Sequence, residues 1–129
     1  MAKEEVLLQL ALFEQEIARL EQQMQLIEQN VLEIENLKES LEELEKSKEK
    51  EIYANLGKNI FIKTEIKDKN LLIDVGNRTF AKKNIEETLK IIDGQLKQLG
   101  EAKTNVLSKM QEIQGKTEEA IEEAQKEEK

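Results

Sequence analysis

The sequence predicts a mainly α fold with a small β insert, in which a long antiparallel coiled-coil helical hairpin is joined by two β-hairpins. Two stretches with apolar residues at alternating three- and four-residue steps flank a short middle of period two. The composition points the same way. Of 129 residues 37% are charged, 3% are aromatic and none is proline, which suits an elongated coiled coil and leaves little for a globular core. One unit across residues 1–129 is the expectation.

In the first stretch Val6, Leu10, Phe13, Ile17, Leu20, Met24, Ile27, Val31 and Ile34 form the seam of a helix that faces another helix. This helix is expected over about 1–53. The steps from Val31 to Ile34 and from Ile34 to Leu37, before Leu41 and Leu44, are two successive threes, an overwinding signature expected to face the neighbourhood of Lys103. The second helix, expected over about 84–126, carries Ile85, Leu89, Ile92, Leu96, Leu99, Lys103, Val106, Met110, Ile113, Thr117, Ala120 and Ala124 in its seam. Asn84 is placed to cap it, with Glu87 three positions later. If the helices leave the insert at these bounds and run back at equal rise, Phe13 lies near Gln125.

Between the helices, over about 52–82, the pattern changes. Ile60, Ile62, Thr64 and Ile66 alternate with Phe61, Lys63, Glu65 and Lys67, which is a strand with one face to bury. Asp68 to Asn70 supply a turn, Leu71 to Val75 a second strand, and Gly76 and Asn77 another turn before Thr79, Phe80 and Ala81. With Ile52 to Leu56 as a further strand, two hairpins result. Short strands of this kind are marginal alone and complete their sheet with other subunits. Ile60, Ile62, Ile66, Leu71, Ile73, Val75 and Phe80 are the candidate oligomerisation residues.

Function classes narrow by exclusion. The chain has no cysteine and no histidine, so disulfides, thiolate catalysis, the usual zinc sites and histidine acid-base chemistry are out. The five glycines open no phosphate-binding loop, and neighbouring glutamates such as Glu42 and Glu43 read as solvated helix faces. Neither catalytic residues nor a metal or cofactor site is expected. A net charge of -8 and a pI near 4.8 disfavour nucleic acid and anionic membranes as partners. No apolar run approaches a membrane span and no leader pattern is present, so a cytoplasmic protein is expected.

One segment exceeds what the seam needs. From Val6 to Phe13 every residue except Gln9 is apolar, yet the seam uses only Val6, Leu10 and Phe13. Leu7, Leu8, Ala11 and Leu12 widen the apolar surface where the opposing helix offers small residues. An exposed or subunit-shared apolar tip follows, and Val6, Leu7, Leu8, Leu10, Leu12 and Phe13 are its candidate residues.

Taken together, a long N-terminal helix, the insert GKNIFIKTEIKDKNLLIDVGNRTFAKKNIEETLKIIDGQL and a long C-terminal helix resemble an alpha-class prefoldin subunit. The specificity lies in the insert, with its charged turn Lys67 to Asn70, LLIDVG, and an aromatic strand ending in paired lysines. Beta-class subunits have one hairpin where this chain has material for two. Alpha-class chains often carry a proline in the segment aligned with Tyr53 to Leu56, which here reads Tyr-Ala-Asn-Leu. The resemblance implies an ATP-independent holdase whose strands join those of other subunits in a β-barrel. Its coiled-coil tips would hold non-native client proteins before release to a group II chaperonin. Beta-class subunits or further copies of this chain are both open as assembly partners, and some alpha-like paralogues build homo-oligomers or filaments. A structural coiled-coil spacer without client binding is the alternative of a different class.

Overall fold

The computed structural model describes residues 2–127, so the parts of the one-unit expectation that reach Met1, Glu128 and Lys129 lie outside the described residues. In chain order the elements are α1 (Lys3–Lys46), β1 (Glu51–Gly57), β2 (Ile60–Glu65), β3 (Leu71–Gly76), β4 (Thr79–Lys83) and α2 (Ile85–Glu127). Two compact units emerge, Met1–Leu32 with Leu96–Lys129, and Glu33–Gln95.

The first unit is a helix pair held by its seam. Val6 and Leu20 of α1 are buried, as are Val106 and Ala120 of α2, while Leu10, Phe13, Ile17, Met24 and Ile27 are half-buried at the expected steps. Each fully buried aliphatic side chain contributes roughly 1.5–3 kcal/mol. Two expectations are corrected here. Lys103 is exposed and its Nζ lies 3.7 Å from Glu28, so Ala102 takes the inward position. Phe13 shares grooves with Ile113 and Thr117 rather than lying near Gln125. The cause is the end of α1. It stops at Lys46, seven residues before the expected Tyr53, and seven residues are one heptad, so the register slides while the same side chains stay inward.

The second unit contains the end of α1, both hairpins and the start of α2. Helix α1 stops early because the strand reaches back to Glu51, where it pairs with Glu65. Lys69 seals that helix end: its Nζ donates to the carbonyls of Ser47 at 2.7 Å and Glu45 at 3.3 Å, acceptors that have no partner further along a helix. At the start of α2, Asn84 Oδ1 accepts the Glu87 amide at 2.8 Å, the N-cap expected from sequence. Buried Thr88 donates its hydroxyl to the Asn84 carbonyl at 2.8 Å.

The successive threes expected at Val31, Ile34 and Leu37 do not occur there; inward positions step by three instead from Lys38 to Leu41 to Leu44. Leu37 is 49% exposed, and half-buried Lys38 continues the three-four stepping from Ile34 to buried Leu41. This lysine is tolerated because its ammonium reaches Asp93 at 2.8 Å, a hydrogen bond that raises its pKa above the ordinary lysine value. The stretch therefore faces Asp93 and not Lys103.

The hairpins are two separate two-stranded antiparallel sheets, β1 with β2 and β3 with β4. Both use the same device. Gly57 and Gly76 have φ of 127° and 94°, and the two residues after each, Lys58 and Asn59 or Asn77 and Arg78, all have positive φ. Two left-handed residues in succession make the type I′ turn, whose twist matches that of the strands. Asn55 Oδ1 accepts the Gly57 amide at 2.8 Å, and Asp74 Oδ1 accepts that of Gly76 at 2.9 Å.

Two substitutions test these contacts. Lys38→Leu puts an apolar side chain in the seam and is expected to raise the thermal midpoint by a few degrees, read by circular dichroism. Lys69→Met keeps the stem but removes both bonds to the end of α1, and is expected to cost about 1 kcal/mol in urea unfolding.

Candidate functional site

Helix α1 projects two kinds of apolar residue from its first turns. Val6 is enclosed at 2% exposure and belongs wholly to the seam. Leu7, Leu8 and Leu12 are 59%, 64% and 56% exposed, outside the seam, as the sequence expects. Helical spacing places Leu8 directly beside Leu12, with exposed Ala11 between Leu7 and Leu12, so these residues form one contiguous stripe. Leu10 and Phe13 lie between the two sets. With Ile17 they line a groove of about 610 Å³ whose other wall is Gln114, Thr117 and Glu118 of α2. A smaller groove of about 170 Å³ is lined by Val6, Leu7 and Leu10 against Ile121 and Ala124. On α2 the short side chains Thr117 and Ala124 line them together with the longer Gln114, Glu118 and Ile121.

Polar groups around the grooves are ordinary helix-surface charges. Arg19 donates to Glu16 through Nε at 3.0 Å and through its terminal nitrogen, and that hydrogen bond holds the Glu16 carboxyl below the usual carboxylate range. Among the described residues no group of carboxylates is arranged to hold a metal ion. The arrangement offers apolar contact.

A second apolar surface lies on the hairpins. In the first, Ile52, Ala54, Ile60 and Ile62 share one face, and Ile60 and Ile62 are 62% and 50% exposed. The opposite face carries Tyr53 and Phe61, 68% and 55% exposed, with Lys63 Nζ 3.1 Å from Glu51. Both faces are open. The second hairpin is covered on one side, where Leu71, Ile73 and Ala81 are half-buried, and open on the other, where Leu72 and Phe80 are 73% and 62% exposed. Val75 is also exposed, and Ile66, half-buried just beyond β2, donates its amide to the Lys50 carbonyl at 2.6 Å.

The profile of the prefoldin family, described as prefoldin subunit, matches residues 13–129. The chain belongs to the prefoldin family. Among solved structures it is similar to a filamentous PFD from Methanocaldococcus jannaschii determined by cryo-EM. That likeness has a TM-score of 0.79 and 18% identity, over 89% of this chain and 97% of the other. No curated protein matches by sequence. Prefoldins are non-enzymatic chaperones whose subunits associate, and this subunit has the two long helices and two small hairpins of that fold. The family match begins at Phe13, so Val6 to Leu12 carry their argument on exposure and chemistry alone.

On the hairpins, exposed Ile52, Tyr53, Leu56, Phe61 and Leu72 are not among the candidates drawn from the sequence. A signal for them exists. Asn55-Leu-Gly-Lys-Asn-Ile-Phe61 and Asp74-Val-Gly-Asn-Arg-Thr-Phe80 align position by position, and in the prefoldin chain Phe61 pairs across from Asn55 as Phe80 does from Asp74. By the same alignment Tyr53 corresponds to Leu72 and Lys63 to Lys82. Once Phe80 is marked as an interface candidate, this repeat marks Phe61 as well.

Proposed function

We propose that this prefoldin subunit is an ATP-independent holdase that captures non-native proteins on the stripe Leu7, Leu8 and Leu12, with Leu10 and Phe13 lining the adjoining groove. The supporting observation is the exposure of those three leucines beside an open apolar groove. Water-exposed leucines in a row are costly to maintain, and a chain that keeps them open has a use for them. In this reading clients pass on to a group II chaperonin, and the setting is cytoplasmic. No helix among the described residues is long and apolar enough to cross a membrane, which agrees with that setting.

Assembly uses the hairpins. Ile60, Ile62, Val75 and Phe80, with the neighbouring Ile66, Leu71 and Ile73, supply apolar contact, and the open strand edges supply backbone hydrogen bonds for an inter-subunit barrel. Partners are beta-class subunits or further copies of this chain. Self-assembly is favoured by two observations: the similar fold of a filamentous prefoldin, and the repeat that gives one chain two like connectors.

Two experiments separate these roles. Ile60→Asp with Ile62→Asp places charges on a face that the single chain leaves open. The expected outcome is a smaller native mass by light scattering with helix content kept, and an unchanged mass would move the interface elsewhere. Leu7→Ser, Leu8→Ser and Leu12→Ser together should leave mass and melting nearly unchanged but weaken suppression of aggregation of a denatured protein at least about tenfold, since each buried leucine is worth roughly 1.5–3 kcal/mol. Retained suppression at the wild-type ratio, with native mass kept, would exclude this stripe; loss of assembly would assign it to subunit contact.

A further inference from the structure

The charge of the chain is not spread evenly along the helix pair. Residues 3–16 contain four glutamates and one lysine, and residues 117–126 again four glutamates and one lysine, a net -6 over the turns that carry the leucine stripe and both grooves. The rest of the same unit, 17–32 and 96–116, holds five basic and four acidic residues. Glu14 and Glu118 line the larger groove itself, and Glu118, Glu119, Glu122 and Glu123 are exposed on α2. Acidic surface and surplus apolar surface therefore coincide.

Solubility alone does not require this. Either sign of charge keeps an apolar patch dispersed, and mixed signs, as found in the remainder of the unit, serve as well. A strong net charge around an apolar groove does something further, even with Lys3 at the smaller groove and Lys126 nearby: it raises the local concentration of oppositely charged ligands and disfavours like-charged ones. From that coincidence we infer that the preferred occupants of this surface are polypeptide segments whose apolar anchors are flanked by lysine and arginine. Apolar side chains enter along Leu7, Leu8, Leu12 and the Leu10, Phe13 and Ile17 wall, and cationic flanks lie over the glutamates of α1 and α2. A segment flanked by carboxylates meets the same leucines against repulsion. This inference rests on the capture role proposed for the stripe and adds the class of client.

The test uses the full chain and three fluorescent unstructured peptides with one apolar core, flanked by lysines, by glutamates or by uncharged glutamines. Binding is read by anisotropy at about 0.02 M and about 0.5 M salt, either side of the ionic strength at which screening shortens to molecular dimensions. The lysine-flanked peptide is expected to bind about tenfold or more tightly than the glutamate-flanked one in low salt, with the preference mostly lost in high salt. Glu118→Gln, Glu119→Gln, Glu122→Gln and Glu123→Gln together should shrink that preference while leaving the glutamine-flanked peptide unaffected. Equal binding of the charged peptides, with the uncharged one still bound, overturns the inference and leaves capture standing. Failure of all three to bind overturns capture and the inference together. A further outcome is native mass that rises in low salt as peptide binding disappears. It would give the acidic surface to residues 57–83 of a second copy, which carry six lysines and Arg78 against three acidic residues, and would likewise overturn the inference.

Discussion

Two helices share only one face, and almost everything else about this chain follows from that constraint. In one unit the contact encloses Val6, Leu20, Val106 and Ala120, in the other Leu41, Ile85 and Ile92, and little more in either. Stability must come from repetition of a small contact along the seam and not from depth. Any apolar residue off the seam has nowhere in the chain to go. Leu7, Leu8 and Leu12 are exposed for that reason, as are Tyr53, Phe61, Leu72 and Phe80, for which a two-stranded sheet supplies no second layer.

The hairpins hold their shape by local means. Type I′ turns at Lys58 and Asn59 and at Asn77 and Arg78 fix the strand register, although a lysine or arginine in the left-handed region costs about 1 kcal/mol or more. Each turn offsets part of that cost with an Asn or Asp side chain that accepts the following glycine's amide. Register set by the turn, and not by a core, leaves both faces of the first hairpin and one face of the second open.

Much of this was legible in the sequence because the two periods differ so clearly. The seams, both hairpins, the Asn84 cap and the surplus leucines were all readable from spacing. The end of α1 was not. Ser47, Lys48, Glu49 and Lys50 continue a charged helical surface without any breaker, and only the pairing of Glu51 with Glu65 shows that a strand has begun. Leu37 and Lys38 illustrate the other limit: by hydropathy the leucine belongs inside, but helical phase puts the lysine there, and Asp93 supplies the counter-charge. The seam position Lys103 failed in the same way, since Ala102 fits the inward site while the lysine reaches Glu28. The hairpin repeat was present in the letters but invisible to a search for alternation within single strands.

The acidic collar around the leucine stripe also bears on how copies of this protein treat each other. Identical stripes would be the best available partners for one another, since each is an open leucine surface at equal height on an equal helix. A net negative collar makes two such surfaces repel at the distance where contact would begin, so the chain is protected from coalescing through its own leucine stripe. That protection depends on ionised carboxylates. Salt acts on it directly: as ionic strength rises the repulsion is screened to shorter range while the leucines remain as apolar as before, and self-adhesion through the stripe gains on mutual avoidance.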